Sequence, residues 1–279
     1  MSKDKSLRGK IQFSELTDTG MVRDHNEDAI GNNEDMGLMI LADGMGGYNA
    51  GEVASGIAVQ TITDLAVEGA HREERNDTDP STGLMRQTIV LRDAVARANK
   101  IIYQTAQSQT HCEGMGTTLV AAMFYDDKIS IAHVGDSRAY RLRNDKFEQL
   151  TMDHSLLQEL VDRGFYSEEE AQRSTNRNYV TRALGVEPTV EVEVQEYEVL
   201  PEDIYLLCSD GLPDMVEDED IHLTISTFNA SLDVVGQQLV QVANDNGGRD
   251  NISVMLAEVI DSFEAKKGLL ARLSGMFGG

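Results

Sequence analysis

The feature that most constrains this fold is a set of short apolar runs, each ending at an aspartate beside glycine. Gly37–Ala42 is followed directly by Asp43 and then a glycine. The run Asp203–Ser209 is followed in the same way by Asp210. A short apolar run that ends at a glycine-rich turn is typical of a buried strand. Each run therefore predicts a strand that places a carboxylate at the edge of a sheet.

Two further aspartates share this setting. Asp136 follows the apolar run Lys128–Val134, and Asp250 lies between two glycines and the predicted last strand, Ile252–Ile260. A single Asp-Gly pair is usually only a turn, but four such aspartates in one chain suggest a site. Clustered carboxylates raise one another's pKa unless a cation lies between them. Oxygen ligands favour Mg²⁺, Mn²⁺ or Ca²⁺ over zinc, and no histidine or cysteine cluster is evident in the sequence.

The order of predicted elements indicates antiparallel sheets covered by helices. The strands come in hairpin-like groups, and the long helices are inserted as pairs between those groups, which argues against repeated βαβ units. We expect one domain over residues 8–260 and a flexible tail over 261–279. The predicted strands include Ile11–Thr17, Gly116–Tyr125, Lys128–Val134, Arg138–Arg143 and Val190–Val194, and the predicted helices include 84–107 and a helix after Ser231.

Charge and composition exclude some classes of function. The chain has 48 acidic and 24 basic residues and a formal net charge of −24, which repels a phosphate backbone, so we expect no nucleic-acid partner. The apolar runs are too short to span a bilayer, and the polar start does not resemble a signal peptide, so we expect a cytoplasmic protein without a transmembrane segment. Cys112 and Cys208 are expected to be reduced thiols.

A charged segment near the start adds groups that suit a phosphate site. It contains Arg23, Glu27 and Asp28. Alone, this segment would be a solvated loop. Beside divalent ions, the Arg23 guanidinium is suited to bind the oxygens of a phosphate group.

Together these segments resemble the PP2C family of metal-dependent protein phosphatases in its compact bacterial form. The resemblance covers residues 11–259, and it implies an α+β fold in which a central sandwich of two antiparallel β-sheets is flanked by pairs of α-helices. Six motifs occur in the family order: Arg23 with Asn26–Asp28, Asp43–Gly47, Gly116–Leu119, Val134–Arg138, Ser209–Leu212 and Gly248–Ile252.

The resemblance implies metal ligands at the motif aspartates. Asp43 would bridge two ions and the attacking water, and the Gly44 carbonyl would complete one of these ions. Asp210 and Asp250 would hold the second ion. Asp136, with help from Asp210, would bind a third ion.

The first motif would contribute one more ligand and the phosphate-binding group. Family members differ over whether the residue matching Glu27 or the one matching Asp28 is the ligand, and we favour Asp28 for the bacterial type. Arg23 would bind the phosphate.

The same resemblance implies a protein serine/threonine phosphatase with two or three Mg²⁺ or Mn²⁺ ions per subunit. A metal-activated water would attack phosphorus directly, so no phosphoenzyme and no nucleophilic serine or cysteine is expected. Animal members carry a histidine two positions after the bridging aspartate, where this chain has Met45. His25 and His154 are then candidate general acids, each more simply explained as structural or exposed, and a water on the ions is another candidate.

The implied partners are phosphorylated proteins and a cognate Ser/Thr kinase, and we expect a monomer. Two alternatives stay open: a non-catalytic phosphoprotein-sensing module of the same fold, and a metallohydrolase acting on small phosphoesters. The segment Asp162–Arg177 falls where the family has a flap beside the active site, and it either selects substrates or is a surface loop without a role. The tail has an amphipathic pattern that suits a membrane-surface or partner helix, but its glycines and short length favour a frayed end.

Overall fold

The computed structural model describes residues 7–47, 50–72, 78–167 and 179–264. The strands within these residues are β1 (Ile11–Asp18), β2 (Asp28–Asn33), β3 (Leu38–Met45), β4 (Gly116–Thr117), β5 (Leu119–Tyr125), β6 (Lys128–Val134), β7 (Arg138–Arg143), β8 (Lys146–Gln149), β9 (Glu193–Glu198), β10 (Ile204–Cys208) and β11 (Ile252–Val259). The α-helices are α1 (Ala50–Arg72), α2 (Arg86–Ser108), α3 (Leu156–Asp162), α4 (Asp218–Phe228) and α5 (Leu232–Asp245).

The strands form two antiparallel sheets, as predicted. One sheet has the order β1-β11-β10-β7-β8, and the other has the order β2-β3-β5-β6-β9, with β4 paired to β3. Neighbouring strands are antiparallel throughout both sheets. The α+β sandwich flanked by helices is therefore confirmed.

Strand β3 shows how the layers are held together. Leu38 and Ile40 pack in a core with α1 and α2, whereas Met39 and Leu41 pack in the core between the two sheets. A strand that is buried on both faces needs apolar residues at every position, which explains its continuous apolar run. A third core lies between the β10–β11 pair and the helices α4 and α5.

Asp126 and Asp127, the two residues between the predicted strands Gly116–Tyr125 and Lys128–Val134, form a hairpin turn between β5 and β6. Both residues have positive φ, at 48° and 52°. This left-handed conformation at both turn positions matches the right-handed twist of the flanking strands, and aspartate tolerates it better than most residues.

One predicted strand is wrong in its bounds, and several elements were not predicted. The alternating run Val190–Val194 suggested a strand, but pairing with β6 begins only at Glu193 and continues to Glu198. Val190 and Val192 are half-buried against the core that contains α1 and α2. Their alternation with polar residues therefore reflects burial of one side of the segment, although these two residues pair with no strand. Strand β2, with the sequence DAIGNN, is too polar for its pattern to predict a strand, and β8 and α4 were also missed.

Most of the predicted flap and tail lies outside the described residues. Of Asp162–Arg177 the structure describes only 162–167, and of the tail only 261–264. The described end of the chain is fixed to the β5–β6 turn, because Ser262 Oγ donates to Asp127 Oδ2 at 2.6 Å and Phe263 packs edge-on against Phe124. Among the described residues, no helix combines the length and the apolar character needed to cross a membrane.

Candidate metal centre

The sheet topology brings the predicted aspartates to one end of the sandwich. In the sheet that contains β3, Asp28 is the first residue of β2 and lies opposite Asp43 in the β2–β3 register. In the other sheet, β10 ends at Cys208, two residues before Asp210, and β11 begins two residues after Asp250. Because β10 and β11 are antiparallel, the end of one lies beside the start of the other.

Asp28 joins these two sheet ends directly. Its Oδ2 accepts hydrogen bonds from Ser209 Oγ at 2.8 Å and from Ser253 Oγ at 2.6 Å. Ser209 directly follows β10 and Ser253 lies in β11, so both hold Asp28 to the sheet end that carries Asp210 and Asp250. The edges of the two sheets therefore converge, as the sequence pattern required for a shared site.

The carboxylates at this end disfavour one another's charge. Burial, followed by the charges of Asp28 and Asp210, raises the pKa of Asp43 well above its usual range. Burial, followed by the charge of Asp136, does the same to the pKa of Asp210. Burial raises the pKa of Asp28 to about 6, with a further contribution from Asp250, although its serine hydrogen bonds act in the opposite direction. Such a cluster is relieved by bound cations.

Asp136 lies in the β6–β7 loop and belongs to the same cluster. Its side chain is buried, and burial raises its pKa to about 6, with the charge of Asp153 as the next cause. The pKa of Asp210 responds first to Asp136 among the neighbouring charges, which links this loop to the centre.

The donor set fits hard divalent ions. Asp28 Oδ1 and Asp210 Oδ1 are buried and have no hydrogen-bond partner among the described residues. A buried polar atom without a partner costs about 1–3 kcal/mol, and more when it is charged. Carboxylate oxygens are the ligands that Mg²⁺ and Mn²⁺ prefer, so ions at this position would satisfy both atoms.

Arg23 lies at the open side of this cluster. Its Nη2 donates to Asp250 Oδ2 at 2.6 Å, and its side chain is 51% exposed. The loop that carries it is held against the Asp250 segment, because Met21 N donates to the carbonyl of Gly248 at 2.7 Å. Gly20 has φ +79°, and an added Cβ would lie 2.2 Å from the Asp250 carbonyl oxygen, so only glycine allows this close approach.

The structure separates the two candidate ligands of the first motif. Asp28 lies in the cluster, whereas the Glu27 carboxylate lies against the start of α1, where a Cβ on Gly51 would be 2.6 Å from Glu27 Oε1. Gly44 also touches this helix, since its own added Cβ would be 2.2 Å from the Gly51 carbonyl oxygen. Of the two histidines considered as acids, His25 is exposed and His154 is buried.

Sequence reasoning missed the residues that orient the first motif. Asn251 is buried, and its Oδ1 accepts from the Glu27 amide at 2.8 Å. Its Nδ2 donates to the carbonyls of Thr19 and His25, each at 2.9 Å. One side chain thus holds three points of the loop around Arg23. Its position directly after a predicted ligand was a signal, but its partners lie more than 220 positions away.

Asp214 is a further acidic residue that the sequence did not single out. Its charge raises the pKa of both Asp210 and Asp136. It lies near them because its amide donates to the Asp210 carbonyl at 2.9 Å, in the turn after β10. Its spacing of four residues from Asp210 would have been a weak signal.

The fold forms a histidine cluster that was not evident in the sequence. Within the residues that the structure describes, His133, His154 and Glu193 have ligand atoms that all lie within 4.8 Å of one another. Among the described residues, no three aspartates have ligand atoms that all lie within this distance of one another. The fold thus brings together three residues from β6, β9 and the segment before α3.

Comparison with known proteins places this arrangement in a family. The protein phosphatase 2C family profile matches residues 22–257. A serine/threonine phosphatase stp of Listeria innocua is 41% identical over 251 residues, covering 87% of this chain and 93% of the relative. A Mycobacterium tuberculosis serine/threonine phosphatase, PstP/Ppp, superposes with a TM-score of 0.79 at 34% identity, covering 90% of this chain and 99% of the other. The PstP catalytic domain in complex with two manganese ions gives a TM-score of 0.77 at 35% identity, with the same coverage.

Proposed function

The chain belongs to the protein phosphatase 2C family, and on that premise we propose that it is a metal-dependent protein serine/threonine phosphatase. The observation that carries this proposal is the convergence of both sheets on Asp28, Asp43 and Asp210, with two buried carboxylate oxygens that lack a hydrogen-bond partner among the described residues. Phosphoproteins are the substrate class that the names of its relatives support.

The proposed metal ligands are the clustered carboxylates. Asp43 would contribute to two ions, and the Gly44 carbonyl would complete one of them. Asp210 and Asp250 would hold the second ion, and Asp136, with help from Asp210, would hold a third. Asp28 is the preferred ligand of the first motif because its free Oδ1 lies in the cluster, while Glu27 lies against α1. When bound, Mg²⁺ or Mn²⁺ lowers the pKa of a coordinated water and offsets negative charge on a phosphate.

The residues of the chain would orient the substrate and exclude competing chemistry. Arg23 would bind the phosphate oxygens, because it is exposed and lies against Asp250 at the rim. The hydroxyls of Ser209 and Ser253 both donate to Asp28 and hold its carboxylate in place. Cys208 is buried, and burial raises the pKa of its thiol far above the usual range. A buried thiol of raised pKa is a poor nucleophile, so Cys208 would not compete with a metal-activated water.

Several finer properties are also proposals. The choice between Mg²⁺ and Mn²⁺ and the number of ions follow from the family resemblance, and PstP is known with two manganese ions. A single phosphatase domain over residues 8–260, a cognate Ser/Thr kinase, a monomeric state and a cytoplasmic location stay predictions from the sequence.

The test is phosphate release by the purified chain. We expect release from a phosphothreonine peptide with Mn²⁺ or Mg²⁺ and none with excess chelator. The rate on the peptide, compared with the rate on a small aryl phosphate, separates a protein phosphatase from a hydrolase of small phosphoesters. Peptide binding without any release would instead support the non-catalytic sensing module, and release in the presence of chelator would contradict metal dependence.

A further inference from the structure

His154 holds both backbone polar groups of Gly135, the residue before Asp136. The Gly135 amide donates to His154 Nδ1 at 3.0 Å, and the His154 amide donates to the Gly135 carbonyl at 2.9 Å. Gly135 has φ +111°, and an added Cβ would lie 2.6 Å from Thr118 Cβ, so this backbone is packed tightly on its other side. The direction in which Asp136 leaves the loop therefore depends on one histidine and one packing contact.

These hydrogen bonds fix the tautomer of His154. Because Nδ1 accepts from an amide, the neutral ring carries its hydrogen on Nε2. Nε2 lies 3.3 Å from Glu193 Oε2, and this carboxylate oxygen accepts the Nε2 hydrogen. His133 stacks on the ring with 4.7 Å between centroids and uses its own Nε2 to donate to the Met152 carbonyl at 2.9 Å.

The same contacts argue that the His133, His154 and Glu193 cluster is not a metal site. A metal at His154 Nε2 would force the ring hydrogen onto Nδ1, where it would point at the Gly135 N–H. Arg182 Nη1 also lies 3.3 Å from His154 Nε2 and places a positive charge there. The cluster is instead a set of hydrogen bonds around one fixed imidazole.

The backbone of His154 connects this loop to the segment 179–184. The Thr181 amide donates to the His154 carbonyl at 2.8 Å, and the Leu156 amide donates to the Tyr179 carbonyl at 2.9 Å. Ser155 and Val180 form an antiparallel bridge between these two contacts. The segment 179–182 is thus joined to the Asp136 loop through His154.

We propose that His154 is a positioning residue for Asp136: its Nδ1 holds the Gly135 amide so that the Asp136 carboxylate is kept in place for the ion it binds. The proposal rests on the function proposed above, in which Asp136 is a metal ligand. Outer hydrogen-bond partners that orient a metal ligand typically change metal affinity by about 10–100-fold when removed.

Two substitutions of similar size separate the two ring contacts. Asparagine places its side-chain oxygen near the position of Nδ1, so His154→Asn keeps an acceptor for the Gly135 amide. Glutamine places its polar end near the position of Nε2, so His154→Gln keeps the contact with Glu193 and loses the one with Gly135. If His154 positions Asp136, His154→Asn should bind Mn²⁺ about as tightly as the chain without substitutions. His154→Gln should bind Mn²⁺ more weakly.

The experiment is a calorimetric Mn²⁺ titration of the full chain and its variants. The variants include Asp136→Asn and the double variant Asp136→Asn/His154→Gln. Thermal unfolding in the presence of chelator checks that each variant is folded. We expect His154→Gln to weaken by about tenfold the same binding event that Asp136→Asn removes, and to have no further effect in the double variant. His222→Asn is the matched control, because His222 lies in α4 and pairs with Asp145, and this variant should bind Mn²⁺ unchanged.

Three outcomes in the His154 variants would overturn the inference. They are unchanged binding in His154→Gln, equal loss in both His154 variants, or a loss of the same size in the presence and absence of Asp136. If Asp136→Asn itself leaves Mn²⁺ binding unchanged, the assignment of Asp136 fails and the inference fails with it. Metal-dependent phosphate release by the unchanged chain would still support the proposed function in each of these cases.

Discussion

Asp28, the first residue of β2, and Asp43, two residues before the end of β3, lie directly opposite each other, where like charges repel. The arrangement is held because Asp28 Oδ2 is fixed by two serine hydroxyls from the other sheet. The fold thus supports two carboxylates whose charged forms disfavour each other. This is the physical basis for expecting cations at this position.

Asp28→Asn should stabilise the chelated protein at neutral pH. The pKa of Asp28 is raised to about 6 by burial, so its contribution to stability is present below its unfolded pKa, about 4, and is lost as the pH rises through 6. Asparagine does not titrate and still offers an oxygen to the serines. In chelator, the gain in the free energy of unfolding should be at most about 3 kcal/mol at pH 7.5 and should vanish near pH 4.

Denaturant unfolding at the two pH values measures this effect. Asp233→Asn, at an exposed position in the first turn of α5, is the control and should show no comparable change with pH. If Asp28→Asn raises the free energy of unfolding by the same amount at pH 4 and pH 7.5, the pKa of Asp28 is not raised in the folded chain.

Arg23→Ala should mainly raise KM for a phosphothreonine peptide. The guanidinium is exposed and lies against Asp250, where it can reach a phosphate bound at the centre. Loss of a charge-assisted hydrogen bond is worth about 1.5–3 kcal/mol, so KM should rise by about 10–100-fold. Steady-state kinetics measure this, with Arg92→Ala, in an ion pair with its neighbour Asp93, as the control. Unchanged kinetics in Arg23→Ala would remove Arg23 from the site.

Asn251→Ala should weaken the hydrogen bonds that hold the loop around Arg23. The side chain holds Glu27, His25 and Thr19 through three hydrogen bonds, and its loss leaves the half-buried Glu27 amide without this partner. We expect the free energy of unfolding to fall by about 1–3 kcal/mol and KM to rise in parallel with Arg23→Ala. Kinetics of the Arg23→Ala/Asn251→Ala double variant provide the check. If the two effects on KM are fully additive, Asn251 does not act through the Arg23 loop.

The sequence predicted those parts of the fold in which local pattern and burial agree. Strand β3 is buried on both faces, so its apolar run and the aspartate at its end were visible directly. The β5–β6 hairpin was visible because its two aspartates suit a turn with positive φ. The ordered motifs then identified the carboxylates that the sheets bring together.

The features that were missed depend on pairing between distant segments. Strand β2 is polar, and it forms because it pairs with β3, so its own residues gave no signal. The register that sets Asp28 opposite Asp43 is likewise a property of two strands. His154 and Glu193 are 39 positions apart and meet only across the folded sheet, which is why the histidine cluster was not expected.

The measurement that tests the central claim most directly is phosphate release from a phosphothreonine peptide as a function of Mn²⁺ concentration, for the unchanged chain and for Asp43→Asn. Asp233→Asn serves as the control for loss of an exposed carboxylate. If Asp43 holds the ions, release should require Mn²⁺ and fall by at least about 100-fold in Asp43→Asn, since metal stabilisation of the transition state is worth several kcal/mol. Full activity in Asp43→Asn, or release without any metal, would contradict the account.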